Sequence, residues 1–133
     1  MSAHRGLSTY HQTQVQSRTP LELVVMLYDG ALKFLSVARG AIERRDVAAR
    51  REATSRALAI ISELQSTLNM AEGGEIAQRL DALYGFANQR ILKATQDNSV
   101  APLDEATRVI ETLRDSWVSI ATTPAETAER GAA

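Results

Sequence analysis

Apolar side chains recur at spacings of three and four residues along four successive segments of this chain, and this period constrains the fold more than any other feature. The first stripe is Val24, Leu27, Tyr28, Ala31, Leu35, Ala38 and Ile42, the second is Ala53, Ala57, Ile60, Ile61, Leu64 and Leu68, the third is Ile76, Leu80, Leu83, Tyr84, Ala87, Ile91 and Ala94, and the fourth is Leu103, Ala106, Ile110, Leu113, Trp117 and Ile120. This spacing places one apolar face on each of four amphipathic helices.

Turn and capping residues separate the stripes. Residues 19–22 combine a threonine N-cap, a proline at the first helical position and a glutamate three residues after the cap, which predicts a helix start. The glycine pair at 73–74 and the polar residues 97–99 predict two turns. Between the first two stripes only Asp46 is typical of a cap. Periodicity alone permits one helix of about 50 residues there, whereas the shorter helices that follow favour a break.

These signals predict an all-α protein, an antiparallel up-down four-helix bundle with a mobile N-terminal arm and a C-terminal tail. The predicted parts are an arm at residues 1–18, a bundle at 19–121 with helices at about 20–45, 47–71, 75–97 and 101–121, and a disordered tail at 122–133. Short connections between helices of similar length are the reason to expect antiparallel neighbours.

The composition of the chain excludes several classes of function. The chain has 133 residues, one domain's worth, and its 15 Lys and Arg nearly balance its 16 Asp and Glu, which gives no bias toward nucleic acid or a membrane surface. No apolar run approaches the roughly 18 residues of a membrane span, and residues 1–6 open no signal peptide. We therefore expect a cytoplasmic protein without membrane insertion and without a nucleic-acid partner.

The side chains that catalytic and metal sites need are missing from the predicted helices. The chain has no cysteine, and its two histidines, His4 and His11, precede the first helix. Metal sites and phosphorelays in bundles use histidines on the helices, so we predict no metal, no cofactor and no enzyme activity. Glu72 and Glu75 flank the glycine pair, where helix ends explain them better than acid–base chemistry does.

Other features carry two interpretations each. Four arginines within residues 44–51 are interspersed with acidic residues, which favours a solvated helix end over a phosphate-binding patch. Trp117 occupies a core position, although the open end of the fourth helix leaves room for partial exposure. In the first helix, Leu23, Met26 and Phe34 widen the apolar stripe, so that helix is either surrounded by others or faces a partner.

Residues 27–30 form a Leu-Tyr-Asp-Gly box, and residues 73–75 form a Gly-Gly-Glu turn. With this combination the chain resembles the flagellar export chaperones of the FliS family, over about residues 10–118. The resemblance implies an antiparallel bundle in the bacterial cytosol that binds the disordered C-terminal segment of flagellin. It also implies that binding prevents premature polymerisation and aids delivery to a component of the flagellar type III export gate.

The resemblance also implies which residues form or support the partner groove. They are Tyr10 in the arm, the box residues Leu27, Tyr28, Asp29 and Gly30, and Leu80, Leu83, Tyr84 and Arg90 of the third helix. A structural role competes with this interpretation, since Leu27 and Tyr28 lie on the core stripe. Gly30 inside a helix is compatible with either close helix packing or partner access.

An alternative function stays open at this point. A non-catalytic bundle can cover a surplus apolar face with a second copy of itself and act as a homo-oligomeric regulatory or scaffold protein. For the chaperone we expect a monomer or a weak homodimer.

Overall fold

The computed structural model describes residues 19–121, which form four α-helices. They are α1 (Pro20–Arg44), α2 (Val47–Ser66), α3 (Met70–Asp97) and α4 (Val100–Ala121), and no strand occurs within this part of the chain. Helix α1 packs against α2 and α4, and α3 packs against the same two helices. The predicted all-α four-helix bundle is therefore confirmed. The predicted arm at 1–18 and tail at 122–133 lie outside the described residues.

Ion pairs between α1 and α4 show that these two helices run antiparallel. Arg39 Nε lies 3.0 Å from Asp104 Oδ1, and Arg114 Nε lies 2.7 Å from Asp29 Oδ1. The earlier residue of α1 therefore pairs with the later residue of α4. Both pairs are largely exposed, so solvent screens them and neither adds much stability. The two ion pairs indicate how α1 and α4 are aligned and contribute little to holding them together.

The helix starts follow the capping chemistry of the sequence. Glu22 N donates to Thr19 Oγ1 at 3.2 Å, and the Glu22 carboxylate accepts from Thr19 N at 3.4 Å, which completes a capping box at the start of α1. Helix α1 ends at Arg44, and the next residue, Arg45, caps it with a left-handed φ of 59°. Asp46 then caps α2 by accepting from Ala49 N at 3.0 Å. A break thus separates the first two helices at the position that Asp46 indicated.

The connection between α2 and α3 lies earlier than the sequence suggested. Residues 67–69 connect the two helices, so α2 ends at Ser66 rather than at 71 and α3 begins at Met70 rather than at 75. The Thr67 hydroxyl donates to the Leu64 carbonyl at 2.7 Å and helps to end α2. The glycine pair interrupts α3 instead of ending α2, because Gly74 has φ 55° and ψ −135° inside it.

The core lies along the bundle axis and receives the buried face of every helix. Its large, fully buried members are Tyr28, Leu35, Ile61, Leu64, Tyr84, Ile91, Leu103 and Ile110. Alanines with no exposed surface, among them Ala31, Ala57 and Ala106, lie between them. Small side chains let neighbouring helices approach closely, while each fully buried Leu or Ile contributes about 1.5–3 kcal/mol. No helix within residues 19–121 has the length and apolar character needed to cross a bilayer.

Candidate functional site

One end of the bundle contains an apolar cavity of about 620 Å³, which we call the end cavity. The antiparallel order brings together the start of α1, the end of α2, the start of α3 and the end of α4 at this place. Its walls include Val24, Leu68, Ile76, Leu80, Tyr84 and Trp117. Ile76 is 72 % exposed, the largest value among the exposed large apolar residues of the described chain. Exposed apolar surface beside a concave apolar wall is typical of a partner-binding site.

Two buried tyrosines and the half-buried Trp117 form a polar cluster at the wall of the end cavity. The Tyr28 and Tyr84 hydroxyls are hydrogen-bonded across the bundle from α1 to α3, and Trp117 Nε1 donates to the Tyr28 oxygen at 3.1 Å. The two tyrosine rings are 6.4 Å apart at a tilt of 38°. Burial raises the pKa of both tyrosines, most strongly that of Tyr28. Both hydroxyls are therefore neutral at physiological pH and can donate.

The remaining box residues have structural partners on other helices. Asp29 accepts from Arg114 of α4, and this hydrogen bond is the main cause of the raised pKa of Arg114. A Cβ on Gly30 would lie 3.2 Å from Ile60 Cδ1, so this glycine permits the close approach of α1 and α2. Leu27 packs against the core. The box thus fixes α1 to both of its neighbours.

A shallower depression of about 240 Å³ lies between α3 and α4, with Leu83, Val109 and Leu113 among its lining residues. Farther along α3, the Arg90 guanidinium lies 5.9 Å from the centroid of the Phe86 ring and 3.8 Å from the Glu105 carboxylate. These contacts place Leu83 and Arg90 on the α3–α4 side of the bundle.

A family model described as flagellar protein FliS matches residues 3–124 of the chain, which include all four helices. The chain belongs to the FliS family. Proteins named flagellar secretion chaperone FliS include one from Bacillus subtilis, 34% identical over 117 residues that cover 88% of this chain and 86% of that protein. A second, from Salmonella typhimurium, is 35% identical over 120 residues, or 86% of this chain and 89% of that protein.

Pseudomonas aeruginosa has a relative named flagellar secretion chaperone FliSB, 32% identical over 124 residues that cover 90% of this chain and 98% of that protein. FliS is a chaperone family and not a catalytic one, which supports the prediction that the chain is not an enzyme. Within the described residues no cluster of acidic or histidine side chains could hold a metal ion.

The residues predicted for the partner groove of this FliS-family chain lie in three places. Leu80 and Tyr84 line the end cavity, with Tyr28 directly behind them. Leu27, Asp29 and Gly30 support α1 against its neighbours. Leu83 and Arg90 face the α3–α4 side, and Tyr10 lies outside the described residues.

Sequence reasoning missed several walls of the end cavity, notably Leu68, Ile76 and the start of α1 at Pro20. The signal that could have found them is topological. In an antiparallel bundle, the start of one helix lies beside the end of the next, so apolar residues at those four ends share one place. Trp117 fits the sequence interpretation of partial exposure, because it is half-buried and lines the cavity.

Proposed function

We propose that this chain is a cytoplasmic flagellar export chaperone that binds the disordered C-terminal segment of flagellin in the end cavity. Binding would prevent premature polymerisation and aid delivery of the segment to the flagellar type III export apparatus. Membership of the FliS family and the names of the relatives support the export-chaperone role. The apolar end cavity of about 620 Å³ is the observation that carries the choice of site.

The chemistry of the end cavity suits an apolar protein segment. Its walls are mostly aliphatic and aromatic, and the one wall residue that is most exposed, Ile76, has no partner side chain to cover it among the described helices. Amphipathic helices bind other proteins by laying their apolar face into a groove of this kind. A segment held by this face could not use the same face to pack against other subunits.

Disorder of the partner segment fits a chaperone that must later release it. Ordering a flexible segment on binding offsets part of the free energy gained from burial. The complex is then weaker than its buried area suggests, which permits transfer at the export gate.

Titration calorimetry with a peptide of the flagellin C-terminus tests the proposal. We expect a one-to-one complex with a dissociation constant below the order of tens of micromolar, which corresponds to a binding free energy beyond about −6 kcal/mol. A chain that begins at residue 19 serves as a second sample, and tighter binding by it would show that residues 1–18 compete with the segment. No heat and no complex with either sample would contradict the proposal.

Exposed apolar residues away from the end cavity favour a second candidate function, that of a homo-oligomeric regulatory or scaffold protein. Val37 of α1 is 46 % exposed and Leu92 of α3 is 49 % exposed. Light scattering separates the two functions. A stable dimer whose mass does not change when flagellin is added would favour the regulatory or scaffold role, and a monomer that gains the mass of one flagellin would favour the chaperone.

A further inference from the structure

The polar cluster at the wall of the end cavity has three donor hydrogens but makes only two hydrogen bonds among residues 19–121. It contains three polar hydrogens, on Trp117 Nε1, the Tyr28 oxygen and the Tyr84 oxygen, and an indole nitrogen can only donate. Among residues 19–121 these groups make two hydrogen bonds, Trp117 to Tyr28 and Tyr28 with Tyr84. Two bonds use two hydrogens. One hydroxyl hydrogen of the tyrosine pair is left without an acceptor in the described bundle.

Burial decides which hydroxyl keeps the spare hydrogen. Tyr28 has no exposed surface and is enclosed by the core, whereas Tyr84 is 2 % exposed and forms part of the cavity wall. A buried donor without an acceptor is unfavourable. This difference in exposure favours Tyr28 as the donor to Tyr84, which leaves the Tyr84 hydrogen for a group in the end cavity that Tyr84 helps to line.

We propose that the Tyr84 hydroxyl donates a hydrogen bond to a main-chain carbonyl of the segment bound in the end cavity, with Tyr28 and Trp117 orienting it. This inference rests on the proposed function, since it names the contact that the bound segment makes. It adds a polar specificity contact to a site that is otherwise apolar.

Backbone geometry indicates which main-chain carbonyls of the segment are free to accept this hydrogen bond. Carbonyls inside a helix already accept from the amide four residues later, whereas those of the last helical turn and of extended chain are free. These free carbonyls are the better acceptors for the Tyr84 hydroxyl, because they have no main-chain donor of their own.

Two conservative variants separate a contact with the segment from a structural role. In Tyr84→Phe the donor to the segment is gone, and the Tyr28 hydroxyl also loses its acceptor. In Tyr28→Phe the same tyrosine pair is broken and Trp117 loses its acceptor as well, but Tyr84 keeps its hydrogen. Tyr28→Phe should therefore lower the thermal midpoint at least as much as Tyr84→Phe does.

Affinity for the flagellin C-terminal peptide should follow the opposite order. We expect calorimetry to show about fivefold to tenfold weaker binding for Tyr84→Phe, the size of one neutral hydrogen bond. Binding by Tyr28→Phe should weaken less than binding by Tyr84→Phe, because Tyr84 loses its orienting partner but keeps its donor. Equal losses in both variants, or wild-type affinity in Tyr84→Phe, would overturn the inference while leaving flagellin binding in place. No binding by the wild type would overturn the proposed function together with it.

Ester substitution in the peptide tests the acceptor without any change in the protein. Replacing one peptide bond by an ester weakens the carbonyl as an acceptor, and we expect one position where this lowers affinity for the wild type but not for Tyr84→Phe. Such non-additivity is the sign of a direct contact. Losses of equal size in both proteins at every position would overturn the main-chain assignment.

Discussion

At the scale of the residue, the hydroxyls of Tyr28 and Tyr84 lie inside an apolar core. The hydrogen bond between them stabilises the fold chiefly because unpaired hydroxyls would be strongly unfavourable there. The pair joins α1 to α3 across the bundle, and Trp117 extends it to α4. These hydrogen bonds join three helices at the end cavity in a defined geometry, which contacts between aliphatic side chains would not impose.

Alkaline pH should destabilise the bundle through this pair. Burial raises the pKa of both tyrosines in the folded chain, so the unfolded chain releases these protons first as pH rises. Their contribution to stability is complete below the ordinary tyrosine pKa of about 10 and is lost above it. We expect urea denaturation to show a free energy of unfolding that falls as pH rises above 10.

The Tyr28→Phe, Tyr84→Phe double variant is the control for that measurement. The variant leaves Trp117 Nε1 without its acceptor and should be less stable than the wild type at pH 7, but it has no buried hydroxyl to ionise. Its stability should decline less steeply above pH 10 than that of the wild type. Identical slopes for the two proteins would show that other groups cause the alkaline loss.

At the scale of the element, the break within α3 determines the shape of the end cavity. The backbone leaves helical geometry at Gly74 and becomes helical again before Ile76, which then lies on the cavity wall. A φ of 55° with a ψ of −135° is open to glycine and to almost no other residue. The first turn of α3 and the connection before it thereby close one side of the cavity.

Replacing Gly74 by alanine should destabilise the protein by about 1–3 kcal/mol, the cost of forcing a side chain into that conformation. Apart from the adjoining residues of its own chain, no atom lies within 4 Å of where the new Cβ would be, so the loss would come from the backbone conformation. Gly85 in the same helix is the matched control, since its Cβ would also meet nothing within 4 Å and its φ is helical. Gly85→Ala should stabilise by up to about 1 kcal/mol. Chemical denaturation that gives the same sign for both variants would contradict this explanation.

The elements differ in how far their sequence determines them. The capping box at residues 19–22 and the cap at Asp46 placed two helix starts correctly, because caps act locally through hydrogen bonds within a few residues. The glycine pair at 73–74 is only partly informative. Gly74 interrupts helical geometry where the sequence predicts a break, but the preceding helix ends earlier, at Ser66, and a short helical segment from Met70 leads up to the break.

At the scale of the whole molecule, the bundle could be predicted and the site only partly. Four apolar stripes with short connections leave few alternatives to an antiparallel bundle. The box at residues 27–30 indicated the family, but its side chains divide between a buried bond, an exposed ion pair and a helix contact. The end cavity forms where residues from four helix ends meet in space. Tertiary packing brings these residues together, and local sequence pattern does not reveal it.

The central claim is that the end cavity, and no other apolar surface of the bundle, holds the flagellin segment. Ile76→Asp and Leu92→Asp test it most directly, because both residues are exposed on α3 after Gly74 and lie about 24 Å apart along the helix. Calorimetry with the flagellin C-terminal peptide should show at least tenfold weaker binding for Ile76→Asp, since an isoleucine buried by a partner contributes about 1.5–3 kcal/mol. Leu92→Asp should bind within about twofold of the wild type. Unchanged binding by Ile76→Asp, or an equal loss in Leu92→Asp, would contradict the claim.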